Sequence, residues 1–250
     1  MHYTFSGNSV LVTGAASGIG EATARLLAAN GLSVVVSDIQ AHAVQRVVDA
    51  ISADGGRAVG NICDVAKPDQ VQAAVESAQE HFGALHYAVN NAGIGGQAGA
   101  VGEMSLEAWQ RVIDINLNGV AYGLRYQIPA ILAAGGGAVV NMSSILGLVG
   151  IATAPGYNAA KHAVTGLTRS TALAYSASGI RVNSIHPGYV ETPILDNLDP
   201  AARTGLVGLH PIGRLGHAEE IAHAIAFLLS DGASFVTGAA LAADGGYTAQ

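Results

Sequence analysis

Charge and cysteine are both scarce in this chain. One cysteine, Cys63, stands among 250 residues, so no disulfide can form within the chain and a disulfide-held scaffold is excluded. No apolar run approaches the roughly 20 residues that a bilayer span requires. The opening "MHYTFSGNSV" lacks the basic start and long apolar core of a signal peptide, so a cytoplasmic protein without a membrane partner is expected. Charged residues make up only 12%, with 11 Lys and Arg against 18 Asp and Glu, for a net charge of -7. That field repels phosphate backbones, and nucleic acid is not an expected partner. The nine histidines are scattered singly, without a third ligand beside His81 and His86, so no metal site is expected.

What is abundant is apolar. Half of the residues are hydrophobic, more than a monomer of this size covers easily with polar groups, and a homotetramer or homodimer is the expected remedy. The length suits one domain, residues 1–250. Short apolar runs alternate with segments of helical periodicity, the pattern of βα units around a parallel sheet. Seven runs read as strands, from "VLV" at Val10 to "AALAAD" ending at Asp244. The fold class expected is α/β, a single-domain, Rossmann-type doubly wound parallel sheet of about seven strands flanked by helices. "SLEAWQRVIDINLNGVAYGLRYQIPAIL" reads as one long helix in which Leu106, Trp109 and Val112 face the core. Pro187 to Gly216 is the one long irregular stretch, and residues 189–216 are read as a substrate lid.

Two features point to a nucleotide. In "VLVTGAASGIGEATARLL" a strand, a glycine-rich turn and a helix follow one another, and Gly14, Gly18 and Gly20 let the backbone bend and approach a pyrophosphate at the helix N-terminus. The spacing G-x-x-x-G-x-G departs from the longer dinucleotide fingerprint. Asp38 then ends the second apolar run, 18 residues after Gly20, where a carboxylate accepts hydrogen bonds from a ribose diol. It repels a 2'-phosphate by about 1 kcal/mol per pair of unit charges at about 4 Å, even in water. Ala15, Ala16, Ser17 and Ile39 supply no cation to offset this, so NAD is favoured over NADP.

The second site is marked by "PGYNAAKHAV". The chain has two lysines, and one of them, Lys161, follows Tyr157 by four residues, so a helix puts both on one face. A phenol with pKa near 10 is a poor base at neutral pH. An ammonium about 5 Å away, at an effective dielectric of about 20, favours phenolate by about 3 kcal/mol and brings the phenol to about 8. Ser144, in "VVNMSSILG", offers a hydroxyl at the end of the fifth strand, with Ser143 as its competitor.

Taken in order, "TGAASGIG", "NNAG", Asn116 in "NLNG", Ser144, "YNAAK" and "HPGYVETP" resemble the successive motifs of the short-chain dehydrogenase/reductase family, over essentially the whole chain. The resemblance implies that Tyr157 is the catalytic acid/base, and that Lys161 lowers its pKa and holds the nicotinamide ribose. It also implies that Ser144, 13 residues before Tyr157, orients the substrate oxygen and that Asn116 keeps a proton-relay water in place. The cofactor would lie along Gly14, Ser17, Gly18, Ile19 and Gly20, with Asp38 and Ile39 at its ribose and Asp64 and Val65 at its adenine. Asn90 to Gly93, including Asn91 and Ala92, would brace the central strand and the cofactor ribose, and Pro187, Gly188, Val190 and Thr192 would seat the nicotinamide.

By the same resemblance Gly95, Gly96, Gln97, Ile145, Leu146, Ile151 and Tyr189 face substrate, followed by a lid carrying Ile194, Leu195, Leu198, Leu206 and Leu209. That lining suits a hydrophobic secondary alcohol or ketone better than a sugar, whose hydroxyls would lose water without partners. Two alternatives stand beside this NAD-linked oxidoreductase: an NADPH-linked carbonyl or 3-oxoacyl reductase, and a non-catalytic NAD-sensing protein. His162 and His186 are assigned structural roles.

Overall fold

The computed structural model describes residues 2–195 and 199–250. Seven parallel strands form the main sheet: β1 (Ser9–Thr13), β2 (Ser33–Asp38), β3 (Arg57–Ile62), β4 (Tyr87–Asn90), β5 (Gly137–Met142), β6 (Ile180–Pro187) and β9 (Ala240–Ala243). Their order is β3-β2-β1-β4-β5-β6-β9, so the chain crosses over between β1 and β4. A doubly wound sheet opens a crevice at that reversal, beyond the carboxyl ends of its strands.

Alternation along each strand builds a core on both faces. Val10, Val12, Val34, Val36 and Val89 pack on one side, where α1 (Gly18–Ala29), α2 (Ala41–Ala53) and α8 (Ala218–Leu229) contribute Leu27, Val47 and Ile225. Leu11, Val35, Ala88 and Val139 face the other side, against α3 (Pro68–Phe82), α5 (Gly119–Ala133) and α6 (Pro155–Tyr175). Every residue of β1 is buried, as a central parallel strand requires. Each such valine or leucine contributes roughly 1.5–3 kcal/mol on burial.

Polar side chains also cross the core, but as a closed set. Asn90 Nδ2 donates to Gln127 Oε1 at 3.0 Å and Asn141 Oδ1 at 2.9 Å, and Asn141 Nδ2 donates to Thr168 Oγ1 at 3.0 Å. These pairs fix β4 and β5 against α5 and α6, since a buried amide without a partner would cost about 1–3 kcal/mol.

The structure corrects the sequence reading in three places. The long helix after Ser105 is divided: α4 (Leu106–Ile113) runs into a π-helical turn at Asp114–Asn118 before α5 begins. Leu106 does not face the core but is 81% exposed, whereas Val112 is buried. The stretch after Pro187 is not irregular throughout. It contains β7 (Val190–Glu191), which pairs with β8 (Gly216–His217), and the helix α7 (Pro200–Gly208), capped by Asp199. Leu198 and the side chain of Ile194 lie outside what is described. Among the described residues no helix is long and apolar enough to cross a membrane.

Candidate active site

One cleft of about 570 Å³ runs across the carboxyl ends of the strands and joins the two regions that the sequence marked separately. Gly14, Ser17, Gly18, Ile19, Asp38 and Ile39 line one end, with Asp64, Val65 and Cys63 beside them. Asn91, Ala92, Gly93, Pro187, Gly188, Val190 and Thr192 line its middle, and Ser144, Leu146, Tyr157, Lys161, Tyr189 and Leu195 its other end. Gly95, Ile145 and Ile151 also line it.

The glycine turn is tight. Gly14 and Gly18 have φ of +63° and +53°, where a side chain is strained. A Cβ on Gly20 would overlap the Gly14 carbonyl oxygen, which Asn91 Nδ2 holds at 3.0 Å. Gly20 is therefore buried behind the turn rather than on the cleft wall, and acts by letting α1 start close to β1. Asp38 is fixed where β2 ends: its Oδ2 accepts from Ala16 N and its Oδ1 from Gln40 N, both at 3.1 Å. Next to it Ile39 is 63% exposed on the cleft wall, an apolar surface that a flat ring would cover. Backbone cradle, carboxylate and apolar rim together fit an adenine dinucleotide. One cation does reach the turn: Arg46 donates to Ala16 O at 2.8 Å and is engaged by Glu21 at 2.7 Å. Arg46 lies on α2, seven residues beyond Ile39.

At the other end α6 presents Tyr157 and Lys161 as its first turns leave Pro155. Lys161 Nζ lies 5.4 Å from the Tyr157 ring centroid and donates to Met142 O at 2.8 Å. Only 2% of Lys161 is exposed, and burial pulls its pKa down to about 8. Burial also drives the Tyr157 phenol up; the neighbouring Ser144 hydroxyl opposes the rise and Tyr189 adds to it. The shift is upward, against the sequence expectation of a lowered phenol, and burial is its largest cause. Lys161 is buried and Tyr157 partly so, and their spacing signalled neither.

The two serines separate by direction. Ser143 Oγ donates to Lys161 O at 2.9 Å and packs into α6, whereas Ser144 Oγ turns to the cleft and accepts from Leu146 N at 3.1 Å. The Ser144 carbonyl accepts from His186 Nδ1 at 2.8 Å, and His186 is fully buried on β6 with Nε2 at 2.8 Å from Ser184 Oγ. His186 thus holds the peptide that carries the hydroxyl. His162 sits on the exposed face of α6, with Nδ1 at 2.9 Å from Asn158 O.

Two further residues stand off the cleft wall. Asn116, in the π-helical turn, is fully buried and clasps the backbone of Ile94, accepting from its N and donating to its O at 2.8 Å each. Gly96 turns toward α4, where a Cβ would come within 2.6 Å of Val112 Cγ2. Gln97 accepts from Ser105 N at 3.1 Å, and Leu209 is 41% exposed. Arg111 and Ile115, which do line the cleft, were not singled out from sequence. Their i, i+4 spacing on the helix leading to Asn116 was the available signal. Cys63 also lines it, with its thiol pushed up to about 11 by burial, so it is unreactive at neutral pH.

A family model described as enoyl-(acyl carrier protein) reductase matches residues 14–248. The chain belongs to the short-chain dehydrogenase/reductase family. Members are oxidoreductases that act on CH–OH groups with a nicotinamide cofactor. The chain is 56% identical to a cyclohexanol dehydrogenase of Acinetobacter sp. (strain SE19), over 100% of this chain and 98% of that one. It is 49% identical to a cis-4-hydroxycyclohexanecarboxylate dehydrogenase of Sinomonas cyclohexanicum, with both chains covered in full. Among solved structures, a putative 2-deoxy-d-gluconate 3-dehydrogenase from Agrobacterium tumefaciens, with bound NADP, superposes with a TM-score of 0.90. It is 39% identical over 99% of this chain and 98% of its own.

Proposed function

We propose that this short-chain dehydrogenase/reductase interconverts a hydrophobic alicyclic secondary alcohol and its ketone with NAD, and that Tyr157 moves the proton. The observation that carries the reading is the shared wall of Ser144, Tyr157 and Lys161, in a cleft whose far end holds Asp38. The bound nicotinamide supplies the site at which hydride is gained or given up. Gly14, Ser17, Gly18, Ile19, Asp64 and Val65 would hold the adenosine and pyrophosphate, and Asn91 to Gly93, Pro187, Val190 and Thr192 the nicotinamide half. Because burial keeps the phenol protonated, Tyr157 rests as the acid that ketone reduction needs; in alcohol oxidation it must first lose that proton. Ser144 orients the substrate oxygen, and Lys161 favours the phenolate and faces the cofactor ribose. Asn116, by clasping Ile94, shapes the loop between Gly93 and Gly95.

The apolar wall of Ile145, Leu146, Ile151 and Leu195 supports a ring alcohol, as does the likeness to a cyclohexanol dehydrogenase. NAD is supported by Asp38, whose carboxylate is pinned by two amides at the cleft wall, and by Arg46, whose charge Glu21 offsets. Residues 189–216 serve in this reading as the substrate lid. A homodimer or homotetramer would cover Leu173 and Phe235, which are 88% and 102% exposed. The NADPH-linked alternative draws on the relative that holds NADP. Absorbance at 340 nm with cyclohexanol and either cofactor tests both readings. NAD should be reduced faster than NADP, and Tyr157→Phe should lower the rate by about 10²–10⁴-fold. Full turnover in the phenylalanine variant overturns the role of Tyr157, and a preference for NADP overturns that of Asp38.

A further inference from the structure

Behind the reacting end lies a second hollow of about 320 Å³, open to the surface beside β9. The end of β9 at Ala243 and the following Asp244 line it, with Ile212, Ile221 and the paired Arg214 and Glu220 around it. Gly188 and Tyr189 are the residues that line this hollow and the main cleft alike. The two spaces are therefore neighbours, and Tyr189 is the side chain between them.

Tyr189 is held by two rings. Its backbone N–H donates to His210 Nε2 at 3.1 Å, and His210 Nδ1 donates to Leu206 O at 2.8 Å, which fixes the neutral tautomer and ties the partition to α7. The His210 ring stands edge-on to Tyr189 at 5.8 Å, and Tyr247 does so at 6.3 Å. Tyr247 and His210 also touch each other, with centroids 5.6 Å apart. A side chain at Gly188 would come within 2.6 Å of His210 Nε2, so the clamp requires glycine there. An aromatic side chain packed against two rings and hydrogen-bonded through its own backbone is a fixed wall rather than a swinging one.

We propose that Tyr189 sets the upper size of the alcohol accepted, and that the hollow behind it is a latent subsite for the second ring of a fused bicyclic secondary alcohol. His210 and Tyr247 act as positioning residues for that wall. The inference rests on the alcohol dehydrogenase reading for its substrate class. The hollow's isoleucine walls match a saturated hydrocarbon ring, its charged pair is already mutually satisfied, and the Asp244 carboxylate is taken up by Gly246 N and by Thr248.

The test compares cyclohexanol with decahydro-2-naphthol, and in parallel the binding of their ketones to the protein by calorimetry. Wild type should favour the single ring. Tyr189→Ala, or Tyr189→Val should the alanine variant fail to fold, should shift the kcat/KM ratio toward the bicyclic alcohol by about tenfold or more, and the ketone affinity ratio likewise. Adding Ala243→Leu, on the face of β9 that packs toward Ile221, should fill the hollow and cancel that gain, while Ala243→Leu alone should leave cyclohexanol turnover unchanged. An unshifted ketone affinity ratio in the Tyr189 variants, or a gain that survives Ala243→Leu, overturns the proposal. Shifted binding without turnover of any alcohol supports the partition and instead overturns the dehydrogenase reading.

Discussion

The two ends of the cleft are built from different material. At the nucleotide end the contacts come from backbone: a turn of glycines, the start of α1, and a carboxylate pinned by two amides. At the reacting end they come from side chains carried on α6, on the turn after β5 and on the segment after β6, with Lys161 buried and the partly buried Tyr157 phenol pushed up. A backbone site depends on where glycine is permitted. A side-chain site depends on burial, which shifts proton affinities and which spacing alone does not reveal.

If the two ends are separable, damage to one should spare the other. The largest effect belongs to Tyr157→Phe, about 10³-fold in kcat, with NADH affinity measured by fluorescence changing less than about fivefold. A parallel collapse of NADH binding would show that the ends are one structural unit. Gly20→Ala makes the converse break: the added methyl overlaps the Gly14 carbonyl. Stability in urea should fall by about 3 kcal/mol and NADH binding should weaken at least tenfold, while the phenol's environment stays as it was.

Lys161 sharpens the contrast, because there function and stability oppose one another. Its folded pKa of about 8 lies below the ordinary 10.5, so between those values the unfolded chain holds a proton that the folded one lacks. Stability from this group therefore rises as pH climbs through that window, and below about 8 the fold bears the full cost of a buried charge, on the order of 3 kcal/mol. Lys161→Met should abolish turnover yet raise the urea midpoint at pH 7, with the advantage shrinking toward pH 10. A lower midpoint at pH 7 would mean that the ammonium's bond to Met142 O outweighs its desolvation.

These differences explain what could be read in advance. The seven strands and most helices follow from alternation and helical period, and the glycine turn from its spacing, because each is a local property. The pairing of Tyr157 with Lys161 was legible since four residues make one helical turn. Three things were not. The π-helical turn that aims Asn116 at Ile94 leaves the periodicity of α4 and α5 nearly intact. Helix α7 is short, exposed along most of its length and lacks an apolar stripe to announce it. The grip of His186 on the Ser144 carbonyl joins residues 42 apart in sequence, which no local pattern encodes.

The smallest expected effect tests the nucleotide end alone. Asp38→Asn keeps an acceptor and removes the charge, while at least one of the bonds to Ala16 N and Gln40 N can persist through the amide oxygen. If charge governs cofactor choice, the NAD/NADP affinity ratio should fall by about five- to tenfold, chiefly through tighter NADP, with cyclohexanol kcat on NAD within about twofold. The size follows from one charge pair at about 4 Å in a cleft open to water, worth about 1 kcal/mol. If the geometry of the β2 end governs it instead, the ratio should stay put. Arg46 makes the outcome informative, because a further drop in Asp38→Asn/Glu21→Gln would show that its pairing with Glu21 keeps a second charge out of play.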